Sequence, residues 1–440
     1  MAGAAPQEVA QTPTWRPYVA LLGTSAVLGV VVSVVAFAFL ALLHGLTHAV
    51  WEELPQAWGF SDVPWWWPLP WLAVAGVVVG LAVRSLPGHG GHVPVKGLSM
   101  GPVPASYVPG VLLAALAGLP LGVVLGPEGP LLMLGSAVAL ILVRPWGASL
   151  GDPARHVLAL AGAAAAVSAI FGSPVVGAVF VVEATAVSGV AGQALVRAVL
   201  PSVLSSGIGA LVFTGVGSWT GLEISSLTLP DLDVPARLDV LDIVWTVPLA
   251  VLVAVGMRLV HGLGFAVARQ AATRPFWTAV VGALAVGVCA SAYALLTGRS
   301  PEDVALSGQA LLGTLAADPE AWGLGALAAL LLLKGLGYGI SLGSLRGGPI
   351  FPAVLLGAAA GVLVGGLPGF GAVPALAAGM AAATAATLPF PISAAVLVVL
   401  LIGPSAPAMA PIVLLAASVG YVVEHYVLAP RRDADHVPAG

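Results

Sequence analysis

Charge is what this chain has least of. Only 8% of its 440 residues are Asp, Glu, Lys or Arg, against 59% hydrophobic residues and a mean hydropathy of +1.05. No soluble surface can be built from that mixture, so the chain reads as an all-α, polytopic membrane protein. The few charges sum to −4, with no basic run, which removes nucleic acid from the possible partners. A single cysteine, Cys289, excludes an internal disulfide and a thiolate cluster, and belongs in the core. H-E-x-x-H and paired Asp are absent from the hydrophobic segments, and the G-x-S-x-G spellings at Gly97–Gly101, Gly147–Gly151 and Gly339–Gly343 do not stand on a suitable strand-to-helix turn, so an intramembrane hydrolase would lack its nucleophile and base. Neither enzymatic activity nor a cofactor is expected.

What is present is a succession of hydrophobic segments. They fall near 17–44, 69–84, 108–125, 129–147, 156–171, 174–190 and 193–216, and again near 243–267, 276–298, 322–341, 350–368, 371–387, 391–403 and 407–429. The polar residues 1–16 carry Glu8 and no basic n-region, so they read as a tail and the first segment as a membrane helix rather than a cleavable signal. Residues 431–440 form a second short tail. Between the two sets lies a polar seam, 217–242, carrying Glu223, Asp231, Asp233, Asp239 and Asp242 against Arg237 alone. The loop from Arg258 to Arg274 is basic, so the positive-inside tendency puts the seam outside and that loop inside. Two halves, 17–216 and 243–430, should form one fused membrane domain. Several segments are too short to span upright. They must tilt, stop midway or re-enter, and irregular backbone at membrane depth needs a cavity or protein around it.

The two halves repeat one another. Gly126-Pro-Glu-Gly-Pro-Leu-Leu-Met-Leu-Gly135 aligns with Gly348-Pro-Ile-Phe-Pro-Ala-Val-Leu-Leu-Gly357 at a constant offset of 222, and Gly162–Ala184 aligns with Gly379–Leu401 at 217. Repeats with matching Gly/Pro-broken segments are a sequence pointer to a transport site near the bilayer midplane. A helix beginning inside the membrane aims its unpaired N–H groups and positive dipole end at whatever precedes it, which suits an anion. Pro130 and Pro352 fit the first turn, and the glycines before them let backbone approach a ligand. Glu128 is the one acid in the repeated motif. Its bland role would be to cap its own helix start; a gate is the stronger reading, because little else would hold a carboxylate at membrane depth. A third Gly/Pro loop, Gly88-His-Gly-Gly-His-Val-Pro94, could close the site from another side.

These three motifs, in this order, resemble those of the CLC family of chloride channels and chloride/proton exchangers. The resemblance runs from about Trp71 to about Tyr421. It implies an inverted repeat of two halves with broken and re-entrant helices, a homodimer with one pore per subunit, and chloride held by helix N-termini. It also implies that Glu128 is the gate, a carboxylate that occupies an anion position and leaves it when protonated. The anion site would then draw on Gly90, Gly91, Glu128, Gly129, Ile350 and Phe351.

Five departures bear on mechanism. Gly91 stands where the family has a Ser whose hydroxyl reaches the central anion, and Pro127 stands for the Arg before the gate. Pro349 and Ile350 occupy the positions of the family's variable residue and Phe, and the proline removes one N–H donor. The family's central Tyr lies on a final helix for which this chain has no segment, leaving Tyr421 and Tyr426 as candidates. The inner proton-relaying acid of the family's exchangers is Ala184 here. Glu183 survives one position earlier, about 100° round a helix, as a proton handle or as a cap. The central site is thus expected to be more open and to bind anions weakly.

The remaining polar residues are secondary. His89 and His92 make an H-x-x-H pair without a third ligand, so a metal site is not expected and a pH handle is the better reading. His44 and His48 sit four apart on the first helix. Lys334 and Arg346 could draw anions toward the second motif or snorkel to the surface. Trp65, Trp66, Trp67 and Trp71 read as an interfacial belt. The chain is therefore expected to be an anion permease in the lipid bilayer of the cell membrane, passing chloride or similar small anions, passively or weakly coupled, gated by protonation of Glu128. The alternative is a chloride/proton antiporter with protons taken up on Glu128. A proton-coupled carrier of an organic solute is more remote, since it would place more polar residues within its spans.

Overall fold

The structure, a computed structural model, describes residues 15–98, 100–146, 151–187, 192–220, 229, 238–403 and 406–428. The tail 431–440, nearly all of 1–16 and most of the seam 217–242 lie outside the described residues. Sixteen α-helices run through the rest. The first half holds α1 (Trp15–His48), α2 (Leu54–Ala57), α3 (Pro68–Ser85), α4 (Val108–Gly118), α5 (Glu128–Val143), α6 (Asp152–Phe171), α7 (Pro174–Val187) and α8 (Gly192–Thr220). The second holds α9 (Val240–Thr273), α10 (Pro275–Thr297), α11 (Gln309–Ala317), α12 (Leu324–Ser344), α13 (Ile350–Val364), α14 (Ala372–Thr387), α15 (Pro391–Ile402) and α16 (Ala406–Val422). Among the described residues, eight helical stretches are long and apolar enough to cross a membrane, and α4, α5, α7, α13, α14 and α15 fall short.

Local chemistry explains many of the boundaries. Proline opens α3, α6 and α10 within the first two positions, where its missing N–H costs nothing. Asp239 and Asp242 form a reciprocal capping box at the start of α9. Gly172 and Gly298 close α6 and α10 in the left-handed conformation. The expected segment 108–125 ends early, because α4 gives way at Gly118 to a 3₁₀ turn and then to extended chain leading into Gly126. The short α11, between Gly308 and Asp318, has too few apolar residues to stand out in the sequence.

The duplication is visible as a shared packing device. Helices α5 and α6 cross at Gly135 and Gly162, and α13 and α14 cross at Gly357 and Gly379. A Cβ on any of these four would collide with the facing glycine's carbonyl oxygen. Small residues let helix backbones touch where lipid offers no hydrophobic drive to association. Alanine completes both contacts: Ala163–Ala166 on α6 and Ala381–Ala383 on α14 are fully or almost fully buried. Cys289 is buried in this core, as expected. Trp67 departs from the interfacial belt. It is fully buried, edge-on to Trp58, and its indole N–H donates to the Val50 carbonyl at 3.0 Å, whereas Trp65 stays exposed.

Candidate functional site

The two broken segments meet head to head. Gly126 and Gly348 pair as an isolated antiparallel bridge, Gly126 N–H donating to the Gly348 carbonyl at 2.8 Å and Gly348 N–H to the Gly126 carbonyl at 2.5 Å. Each glycine is followed by a proline serving as N-cap, Pro127 for α5 and Pro349 for α13. The two helices thus start within a few residues of one bridge, with their orphan N–H groups converging.

Glu128 fills the place between them. It is fully buried, and its Oε1 accepts the N–H groups of Ile350 and Phe351 at 2.9 Å each. Those are the first two donors of α13, in the other half of the chain. Its Oε2 is buried without a partner. That oxygen is wedged between Gly126 and Gly348, where a Cβ on either would strike it. Glycine at both positions is therefore needed for the carboxylate to lie here. Below it sits Tyr338 of α12, fully buried, whose hydroxyl donates to the Pro349 carbonyl at 2.6 Å. Sequence reading missed Tyr338, because a tyrosine on a hydrophobic helix gives no signal until its partner is known.

The third loop lies against the same place. Gly88, Gly90 and Gly91 all have positive φ, and the Gly91 N–H donates to the Gly88 carbonyl at 2.9 Å, within its own turn. His92 lies against the first turn of α5: its Cε1 would be 3.0 Å from a Cβ on Gly129, and its Nδ1 is 3.4 Å from the Met133 sulfur. His89 faces away, donating from Nδ1 to the Val83 carbonyl at 3.0 Å. Arg346 is buried behind the loop, with Nε donating to the His89 carbonyl and Nη1 to the Leu345 carbonyl, both at 3.0 Å.

Lys334 neither snorkels nor faces the site. It is fully buried, and its Nζ donates to four consecutive carbonyls, those of Asp303, Val304, Ala305 and Leu306, at 3.0 to 3.3 Å. Leu306, at φ +62°, is bent to complete that cradle, and its N–H reaches the Gly122 carbonyl, four residues before Gly126. Glu183 is also engaged: its two carboxylate oxygens accept the Ile392 and Ser393 N–H groups at 2.9 and 2.5 Å. It caps the start of α15 across the boundary between halves. Tyr421 and Tyr426 meet edge-on, with ring centroids 6.0 Å apart, the latter exposed.

A cavity of about 580 Å³ reaches Pro127, the residue before Glu128. His44, His48, Glu52, Glu302 and Asp303 line it. His48 contacts both Glu52 and Glu53 at 3.2 Å, and Arg299 pairs with Asp303 at 3.6 Å. Burial, with Asp303 and Glu52 close by, pushes the Glu302 carboxyl up to about 7.

Two half-helices start at one buried position with a carboxylate between them, inside a bundle of membrane-length apolar helices. The family model for the voltage gated chloride channel matches residues 75–425. The chain belongs to that family, the CLC proteins, whose members are anion transporters and channels rather than enzymes. Among solved structures it is similar to one described as a slow cyanobacterial Cl⁻/H⁺ antiporter, with a TM-score of 0.73 and 17% identity over 92% of this chain and 94% of that one. It is also similar to a CLC-type fluoride/proton antiporter, with a TM-score of 0.70 and 19% identity over 94% and 97%. The fold is accordingly the all-α inverted repeat of an integral membrane protein. Among curated relatives, the "Putative ion-transport protein YfeO" of Salmonella paratyphi A is 33% identical over 167 residues, and its Salmonella choleraesuis counterpart is 34% identical. The matched segment spans 38% of this chain and 40% of each relative.

Proposed function

We propose that this protein is a homodimeric permease for chloride and similar small anions in the cell membrane, passive or weakly coupled, gated by protonation of Glu128. One observation carries the reading: the Glu128 carboxylate takes the first two N–H donors of α13 and so stands where an anion would stand. Protonation removes the charge that makes these bonds strong, and an entering anion then competes for the same donors. The anion-binding positions are Ile350 and Phe351 on one side, Gly129 on the other, with the Gly90–Gly91 loop beneath. Residues 17–430 act as one domain, since the gate of the first half is held by donors of the second. The cavity beside Pro127 is the outer vestibule.

Chloride/proton exchange through the same carboxylate is the second reading, favoured by the two similar structures, which are those of antiporters. Against tight coupling stand Ala184, which cannot carry a proton, and Glu183, whose oxygens are held by α15. Chloride efflux from liposomes, with external pH recorded together, decides between them. Chloride leaving without stoichiometric proton movement supports the passive mode. Uphill proton movement that vanishes in Glu128→Gln establishes exchange, and a protein that moves no anion refutes both.

A further inference from the structure

We infer that His92 is an anion ligand: its Nε2–H supplies the side-chain donor that Gly91 cannot, at the inner face of the site between α5 and α13. The inference rests on the anion-permease reading and deepens it. The imidazole is packed on the first turn of the sixteen-residue helix α5, with Cε1 3.0 Å from the position of a Gly129 Cβ. Its Nε2 is buried and has no hydrogen-bond partner within the protein. A sealed ring nitrogen without a partner is costly, and it is kept only where something else satisfies it. The place it faces is the positive end of α5, which favours negative charge.

Tautomer chemistry fits the role. The Nδ1 atom faces the Met133 thioether at 3.4 Å, a weak acceptor that loses little when no proton points at it. An arriving anion therefore selects the tautomer with hydrogen on Nε2. Room for the ring comes from glycine on both sides: a Cβ at Gly129 would press on it, and one at Gly91 would lie 3.3 Å from the Met133 sulfur. Arg346, buried behind the same loop with no carboxylate among its hydrogen-bond partners, adds positive potential without entering the site. The loop that lacks a hydroxyl at residue 91 thus offers a larger donor one residue later.

The test compares purified wild type, His92→Leu and His92→Asn by chloride titration calorimetry, together with ¹⁵N-histidine spectra of wild type in chloride and in gluconate. Losing one donor hydrogen bond to an anion should weaken chloride about 10-fold in His92→Leu, and the amide of His92→Asn should recover most of it. In wild type, chloride but not gluconate should move one histidine, absent from the His92→Asn spectrum, toward the Nε2–H shift. The wild-type spectra alone suffice if His92→Leu does not fold. Unchanged chloride affinity in His92→Leu, or no chloride-dependent histidine shift, overturns the ligand role while leaving the permease intact. Wild type that neither binds nor passes chloride overturns both.

Discussion

Replacing Glu128 by glutamine removes one charge and almost no volume, which makes it the sharpest perturbation of the site. The carboxylate accepts two backbone N–H bonds, from Ile350 and Phe351 at 2.9 Å. Hydrogen bonds to an ionised acceptor are worth roughly 1 kcal/mol more than neutral ones, so the pair loses about 2 kcal/mol when the charge goes. An anion competing for these donors should then bind about 30-fold more tightly, at about 1.4 kcal/mol per decade. Chloride affinity measured by calorimetry in mildly alkaline buffer reads this directly, and liposome efflux across a pH series reads its consequence. Wild type should quicken as pH falls, and Glu128→Gln should be fast throughout, keeping at most the roughly 2-fold acid dependence contributed by Glu302. A glutamine variant that keeps the wild-type acid dependence, with chloride affinity shifted less than about 3-fold, would refute the competition on which the gate rests.

Further outcomes follow from other parts of the structure. Glu302, with its carboxyl pushed up to about 7, is ionised above that pH and neutral below it, so the vestibule loses negative charge on acidification. In a Glu128→Gln background, efflux should still rise roughly 2-fold as pH falls through neutrality, from a Coulomb effect of about 0.4 kcal/mol at ~10 Å in water, and adding Glu302→Gln should flatten it. Lys334→Met leaves four buried carbonyls without their donor and should cost about 3 kcal/mol or more, seen as a large drop in detergent melting temperature or loss of the monodisperse peak. Glu183→Ala should lower the melting temperature by removing the cap of α15, worth about 1–2 kcal/mol, while leaving proton coupling as in wild type; a change in coupling at unchanged stability would make Glu183 a proton handle after all. Gly379→Val should disrupt the α13–α14 crossing, with a cost of about 3 kcal/mol read in the same melting assay.

The sequence carried those features that depend on residue type at a fixed spacing. Gly135, Gly162, Gly357 and Gly379 marked the repeat because only glycine permits the crossings they make, and Glu128 stood out because an acid in an apolar motif has few uses. Partners distant in sequence were not legible. That Glu183 caps α15 requires knowing that residues 183 and 392 meet across the halves. The fate of Lys334 depends on the bend at Leu306, which no pattern in the chain announces. Arg258 was counted only as part of a basic loop, yet it lies 3.5 Å from the buried Glu424, which also meets His261 at 3.2 Å. Tyr338 gave no signal beside Tyr421 and Tyr426, since its bond to the Pro349 carbonyl joins residues that no motif links.

The bridge between Gly126 and Gly348 joins main-chain atoms only, so it is indifferent to the side chains evolving around it. Each half supplies the template on which the other half's irregular segment is shaped. A single unfused half would therefore find its partner in a second copy of itself inserted upside down, and the present chain preserves that antiparallel handshake in covalent form. Expressed as two separate polypeptides, the halves should reassemble around the same pair of glycines, and neither should hold its broken helix in place alone.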